Sequence, residues 1–206
     1  MIRLDREDGL WVVTLDRPDK ANSLTAAMLE ELSQIAEDAQ TDSAIRALIL
    51  TGSGARVFSA GADLEEAHAG LATSPLWERL SGAIASLPCL TIAALNGTLA
   101  GGAFGMALAC DLRIAVPQAR FFYPVAKLGF LPQPSDPGRM SALIGPARTK
   151  LILLGGQKIT AEDALTFGLI ERIVEPDELL EHAKSLAADA LAGKSEILRG
   201  IKTLCS

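Results

Sequence analysis

The sequence has few aromatic side chains, few cysteines and no long hydrophobic run. Aromatic residues make up 4% of its 206 residues, so aliphatic side chains must fill the core. The spacing of Cys89, Cys110 and Cys205 fits neither a zinc site nor a Cys-x-x-Cys redox pair, and we expect reduced thiols, buried at Cys89 and Cys110. No apolar run approaches the ~20 residues that span a bilayer, and no leader-like segment opens the chain. We therefore expect a cytoplasmic protein that does not contact membranes.

Positive charge is also scarce. The formal net charge is −6, which argues against a nucleic-acid-binding surface but leaves room for a local basic pocket. Apolar residues (49%) and charged residues (21%) occur in ordinary globular proportions. The length favours one domain, residues 1–206, with a core over about 1–145 and a helical part over about 146–206.

Apolar segments alternate with helical patterns through the first two thirds of the chain. Thr25 can cap a helix running to about Gln40, and the small residues 101–109 suit a wholly buried helix. Alternating strands and helices predict a largely parallel sheet in an α/β fold. The predicted strands are 10–15, 46–51, 90–95 and 111–116; later helices begin near Pro146, Thr160 and Asp177.

Two turns built of small residues follow strand-like stretches. The first is Ser59-Ala60-Gly61-Ala62-Asp63, and the second lies within 96–105. Two such turns can direct backbone N–H groups at one carbonyl oxygen, which is the arrangement of an oxyanion hole. Removing one donor from such a hole costs roughly 100- to 1000-fold in rate.

Four segments together, 17–24, 58–63, 96–111 and 159–170, resemble the signatures of the crotonase (enoyl-CoA hydratase/isomerase) superfamily. The resemblance covers nearly the whole chain and implies a spiral of ββα units with a C-terminal helical region. It implies a homotrimer or hexamer that takes an acyl-CoA thioester as ligand. Coenzyme A would arrive as part of the substrate, with no permanently bound cofactor and no metal.

The resemblance also assigns roles at the site. The oxyanion donors would be the N–H groups of Ala62 and Gly102, and Gly102 is predicted at a helix N-terminus, which favours negative charge. Asp63 is more simply interpreted as a helix cap than as a catalytic group. The thioester arm would lie along Asn22, Ser23, Leu24, Ser59, Ala60, Gly61 and Gly101, and the nucleotide phosphates would meet Arg17, Lys20 or Arg56.

The sequence departs from the family where acid–base chemistry is expected. Hydratases of the family use two glutamates, and this chain has Gly105 and Val125 in their places. Isomerases often keep the second glutamate, and another subgroup places an aspartate where this chain has Gln133. Hydration by two glutamates is therefore not expected.

Three side chains near the predicted site remain candidates for proton transfer. Asp136 either caps a helix that has Pro137 in its first turn or acts as an acid or base. Tyr123 either donates a hydrogen bond in the site or is an aromatic with a satisfied hydroxyl. His68 is either a general acid or base or a surface residue, and His182 has no expected role.

Two classes of function stay open. The first is an enzyme that binds an acyl-CoA and stabilises a thioester enolate, in isomerisation, decarboxylation or thioester cleavage. The segments 101–104 and 124–129 faintly resemble the methylmalonyl-CoA decarboxylase branch. The second is a non-catalytic acyl-CoA carrier or sensor that keeps the scaffold without the acid and base.

Overall fold

The computed structural model describes residues 1–205. Within them the strands are β1 (Ile2–Glu7), β2 (Leu10–Leu15), β3 (Ala47–Gly52), β4 (Val57–Ser59), β5 (Leu90–Leu95), β6 (Thr98–Ala100), β7 (Leu112–Ala115), β8 (Arg120–Phe122), β9 (Ile159–Thr160) and β10 (Arg172–Ile173). The helices are α1 (Ala26–Thr41), α2 (Leu64–His68), α3 (Leu76–Ala85), α4 (Phe104–Ala109), α5 (Val125–Leu128), α6 (Asp136–Leu153), α7 (Ala161–Phe167), α8 (Leu179–Leu186), α9 (Ala188–Ala192) and α10 (Ser195–Leu204). Short 3₁₀ turns lie at Pro18–Lys20, Leu71–Thr73 and Gly101–Ala103.

The larger sheet has the order β1-β2-β3-β5-β7-β10. Only its first pair, β1 with β2, is antiparallel; the other neighbours run parallel. Every residue of β2 is buried, and so are nearly all those of β3 and β5, as expected for parallel strands covered on both faces. The strands predicted over 46–51, 90–95 and 111–116 are confirmed as β3, β5 and β7.

The smaller sheet places the two small-residue turns side by side. Its order is β4-β6-β8-β9, and β4, β6 and β8 run parallel. Ser59 at the end of β4 pairs with Leu99 near the end of β6. Because adjacent parallel strands end at the same edge of a sheet, the chain leaves both strands at one place.

Helices α1 and α7 begin at the predicted capping residues. Thr25 Oγ1 accepts a hydrogen bond from Met28 N at 3.2 Å, and Thr160 and Asp163 form a reciprocal capping box on α7. The buried helix predicted over 101–109 is present as the Gly101–Ala103 3₁₀ turn followed by α4. None of the helices in residues 1–205 has the length and apolar character needed to cross a bilayer.

The predictions were less accurate in the last third of the chain. The single long helix predicted from Asp177 is wrong: it is two helices, α8 and α9, which meet at Ala187. The helix start predicted near Pro146 is confirmed, because Gly145, with φ of +78°, has non-helical backbone angles and the second helical part of α6 begins directly after it. Cys89 and Cys110 are buried free thiols, and burial raises their pKa values to about 11 and about 12.

Candidate active site

The two turns pack backbone against backbone. A Cβ added to Gly61 would lie 3.0 Å from the Ala100 carbonyl oxygen and 3.4 Å from the Gly102 nitrogen. Gly61 also has φ of +91°, a conformation that other residues rarely adopt. A Cβ on Gly101 would lie 3.7 Å from the Ala60 carbonyl oxygen and from the Gly61 Cα. Glycine at these positions is what allows the two turns to meet.

The hydrogen-bonding pattern leaves one amide available on each turn. Leu24 and Ala62 form a parallel bridge, in which Leu24 accepts from Asp63 N and donates to the Gly61 carbonyl, both at 2.8 Å. The N–H of Ala62 itself therefore lies on the side of the chain away from Leu24. Gly102 is in the first turn of a helix, where an N–H has no intrahelical acceptor. Each turn thus presents a backbone donor that its own secondary structure does not use.

Ala62 and Gly102 line the same cavity, of about 180 Å³. Its surface is mostly apolar, and Ala60 and Gly101 also contribute to it. The ring of Trp77 closes one side, with atoms 3.2–3.3 Å from the point that a Cβ on Gly102 would occupy. The other walls include Phe122, Tyr123, Val125, Leu131 and Gln133.

Buried side chains hold the first turn in place. Ser59 is fully buried; its hydroxyl donates to the Asn22 carbonyl at 2.8 Å and accepts from Gly61 N at 3.2 Å. Asn22 is also fully buried, and its amide donates to the Ser53 and Val57 carbonyls. The structure therefore places the side chains of Asn22 and Ser59 in the scaffold of the turn, while Ser23 and Leu24 are buried beside it.

Arg17 and Asp63 form an ion pair beside the turn. Arg17 Nη1 lies 2.8 Å from Asp63 Oδ2, and this guanidinium holds the pKa of the Asp63 carboxyl below its usual value. Asp63 Oδ1 accepts from Glu65 N at 3.1 Å, which confirms it as the cap of α2. The Arg17 charge thus faces a carboxylate of the same chain.

The other charged candidates lie outside the cavity wall. Lys20, Arg56 and His68 are exposed, and none of the three lines the cavity. His182 is half-buried on α8, where its Nε2 has no hydrogen-bond partner.

Asp136 does not cap its helix, and the capping hypothesis was wrong. The residue before it, Ser135, occupies the cap position, and the Ser135 side chain makes no capping hydrogen bond. Asp136 is completely buried instead, and its Oδ2 accepts a hydrogen bond from the Tyr123 hydroxyl at 2.9 Å. Its Oδ1 is buried with no hydrogen-bond partner.

The surroundings of Asp136 favour its protonated form. Burial raises the pKa of Asp136 to about 7, and the charge of Glu78 also raises it. The hydrogen bond from Tyr123 and the charge of Arg139 lower the pKa, but they do not outweigh burial. Burial and the neighbouring carboxylate also raise the pKa of Tyr123 far above its usual value. The Tyr123 ring stacks on Phe104, with centroids 5.4 Å apart, which fixes the hydroxyl next to Asp136.

Gly105 and Asp136 share one space. A Cβ added to Gly105 would lie 3.0 Å from Asp136 Oδ1 and 3.4 Å from Ser81 Cβ. The carboxylate therefore occupies the room into which a side chain at position 105 would extend. Val125, at the second glutamate position, is half-buried and lines the cavity with an apolar group.

Sequence reasoning missed two features of the site. Trp77 fits the amphipathic pattern of α3, and its indole N–H donates to the Leu71 carbonyl at 2.8 Å, so nothing local marks it as a cavity residue. The bond between Tyr123 and Asp136 joins residues 13 positions apart across a loop. The missing side chain at Gly105 was the one available signal, because a buried gap beside α4 must be filled by another group.

Comparisons with known proteins identify the family. The enoyl-CoA hydratase/isomerase family profile matches residues 5–205. The chain is 37% identical to the putative enoyl-CoA hydratase/isomerase YngF of Bacillus subtilis, covering 89% of this chain and 72% of that protein. It is 36% identical to a short-chain-enoyl-CoA hydratase of Clostridium acetobutylicum, with the same coverage. It is also 36% identical to a carnitinyl-CoA dehydratase of Salmonella arizonae, covering 96% and 80%.

Solved structures agree with the sequence relatives. The enoyl-CoA hydratase of Bacillus anthracis superposes with a TM-score of 0.92 at 32% identity, covering 98% of this chain and 81% of that one. Pseudomonas aeruginosa DspI superposes with a TM-score of 0.91 at 32% identity, covering 99% and 85%. The chain belongs to the enoyl-CoA hydratase/isomerase family and has the crotonase fold.

Proposed function

We propose that this protein is an acyl-CoA enzyme in which the N–H groups of Ala62 and Gly102 bind the thioester oxygen and stabilise an enolate. The observation that carries the proposal is the contact between the two turns, which places Gly61 against Gly102 with no side chain between them. Both donor residues line one cavity, so a carbonyl oxygen entering it can meet both amides. Preorganised donors in a site with little water stabilise developing negative charge strongly.

The ligand class is supported by the family and by the cavity wall. The relatives named above include a short-chain-enoyl-CoA hydratase and a carnitinyl-CoA dehydratase. The apolar groups of Trp77, Val125 and Leu131 suit the hydrocarbon part of an acyl group. Coenzyme A would enter as part of the substrate. Lys20 and Arg56 are better candidates for its phosphates than Arg17, because Arg17 is paired with Asp63.

The reaction we propose passes through an enolate without the two-glutamate hydration machinery. Gly105 cannot supply an acid or a base, and neither can Val125. Isomerisation, decarboxylation and α-proton exchange all need an oxyanion site but differ in their demand for proton transfer. A homotrimer or hexamer in the cytoplasm is the assembly and location that we expect.

The test is a comparison of three thioesters. The protein is mixed with crotonyl-CoA while the enoyl absorbance is followed, with a malonyl-type thioester while decarboxylation products are detected, and with butyryl-CoA in D₂O while deuterium at Cα is measured. We expect α-deuteration, and crotonyl-CoA turnover far below the tens per second typical of a hydratase. Hydratase-level turnover of crotonyl-CoA would contradict the proposed reaction class. Tight binding of all three without any conversion would establish the carrier or sensor instead.

A further inference from the structure

The buried carboxyl of Asp136 has one hydrogen-bonding partner among the described residues, the Tyr123 hydroxyl, which bonds only one of its two oxygens. It does not cap α6, it is in none of the ion pairs found among residues 1–205, and its Oδ1 has no hydrogen-bond partner there. An unpaired polar oxygen in the interior is costly and needs a reason. Asp136 lies against α4, the helix that follows the Gly102 donor.

Groups from four elements, including its own helix α6, surround this carboxyl. The segment after β8 contributes the Tyr123 hydroxyl at 2.9 Å, and α4 contributes only the bare backbone of Gly105. Helix α3 contributes Glu78, which raises the Asp136 pKa, and α6 contributes Arg139, which lowers it. Arg139 is held by Ser81 at 2.9 Å, and Glu78 accepts from Ser135 N at 3.2 Å. Tyr123 is therefore the direct hydrogen-bonding neighbour of Asp136.

Tyr123 connects the carboxyl with the cavity. Tyr123 is one of the cavity-lining residues, although only 2% of its surface is exposed, and Gln133, whose backbone N–H lies 3.5 Å from the Tyr123 hydroxyl, also lines the cavity. The hydroxyl thus lies between a cavity-lining residue and a fully buried carboxyl. A phenol in that position can accept a proton from a group in the cavity while it donates its own proton to Asp136. It then never becomes a stable phenolate, a form that its surroundings disfavour.

We propose that Tyr123 and Asp136 form the proton relay of this site. The carboxyl of Asp136, which occupies the space left by Gly105, is the final proton acceptor. The inference rests on the proposed function, because it needs a thioester whose enolate is held by Ala62 and Gly102. Tyr123 is the group that would touch the substrate, and Asp136 acts through it. The relay supplies from α6 the carboxyl that position 105 lacks.

The proton transfer balances within these groups. In enolate formation the Cα–H bond breaks and its proton bonds to the Tyr123 oxygen, while the original hydroxyl proton moves to Asp136 Oδ2. The C–H electron pair becomes the enolate, whose oxygen is bound by the two amides. The reverse step returns a proton to carbon and restores the carboxylate. Deuterium enters Cα when the relay proton on Tyr123 or Asp136 exchanges with D₂O between the two steps, so solvent is the other reactant that the measured exchange requires.

The experiment measures α-deuteration of butyryl-CoA in D₂O for the wild type, Asp136→Asn, Tyr123→Phe and the double variant. The control is Asp163→Asn, the same change at a capping residue of α7. We expect each relay variant to lose about 100-fold in exchange rate and the double variant to lose no more, as for groups that act as a unit. The dissociation constant for butyryl-CoA should change by less than about threefold. The control should lower stability and leave the exchange rate per folded molecule unchanged.

The pH dependence of the exchange rate distinguishes a proton relay from a purely structural role, because a structural residue would not set the midpoint of that dependence. The wild-type exchange rate should rise with pH to a plateau with a midpoint near 7, because Asp136 must be ionised to accept the proton. Asp136→Asn should lose that dependence. Exchange within twofold of wild type in Tyr123→Phe or Asp136→Asn, or a loss explained wholly by weaker binding, would overturn the relay while the proposed function stood. Failure of the wild type to bind and exchange butyryl-CoA would overturn the proposed function, and the relay with it.

Discussion

The cavity has two unlike walls. One is made of main chain, where the turns around Gly61 and Gly102 meet without side chains between them. The other is made of side chains, in which Tyr123 lines the cavity and reaches back to Asp136. The first wall can offer fixed N–H dipoles, and the second can offer a mobile proton. In the proposed mechanism, stabilising a charge and moving a proton fall to separate parts of the fold, and each wall can be altered while the other is left intact.

Gly61→Ala should have the largest effect, because it breaks the main-chain wall. The new Cβ would lie 3.0 Å from a backbone oxygen that cannot move freely, and φ of +91° is strained for alanine. We expect the exchange rate to fall roughly 100- to 1000-fold. Gly70→Ala is the matched control, since Gly70 has φ of +108° but no atom within 4 Å of its added Cβ. It should lose stability with little change in exchange per folded molecule. Equal losses in both variants would show that strain, and not the close approach, is the cause.

Asp136→Asn should change how stability depends on pH, which sharpens the description of the side-chain wall. The folded carboxyl has a pKa raised to about 7 from 3.8, so the folded protein binds this proton more tightly than the unfolded chain. Wild-type stability should therefore fall relative to the variant, by a few kcal/mol, as pH rises from about 4 to about 7. Urea unfolding at several pH values measures this. Parallel pH curves for the two proteins would mean that Asp136 has an ordinary pKa.

Ser59→Ala tests the support behind the main-chain wall. The substitution removes the hydroxyl that bonds Asn22 and Gly61 in a fully buried position. We expect a loss of about 1–3 kcal/mol in unfolding free energy and a smaller loss of activity than in Gly61→Ala. Full stability after this change would show that the turn is held by its backbone alone.

Arg17→Met should have the smallest effect. It tests whether Arg17 serves only to pair with Asp63 or also binds a phosphate of the ligand. Because the guanidinium pairs with Asp63 and holds the loop at Ser23, the variant should unfold a few degrees lower. Its preference for coenzyme A over dephospho-coenzyme A should not change, as measured by calorimetry. A reduced preference would instead place Arg17 at a ligand phosphate.

The main-chain wall was predictable from sequence because its chemistry is local. Small residues after strand-like stretches are needed wherever two backbones meet, and parallel strand order brings their ends together. The side-chain wall was not predictable in this way. Ser-Asp-Pro is a local capping pattern, yet Asp136 turns inward because Gly105 leaves space and Tyr123 offers a hydrogen bond. Those partners lie on other elements, so no pattern within the segment reveals them.

The most direct test of the account is the infrared carbonyl stretch of a ¹³C-labelled thioester bound to the protein. Two N–H donors on one oxygen polarise the C=O bond, so we predict a band at clearly lower wavenumber than for the free thioester in water, with the shift lost in Gly61→Ala. A bound thioester whose carbonyl band stays at its solution position would contradict the claim that the amides of Ala62 and Gly102 converge on that oxygen.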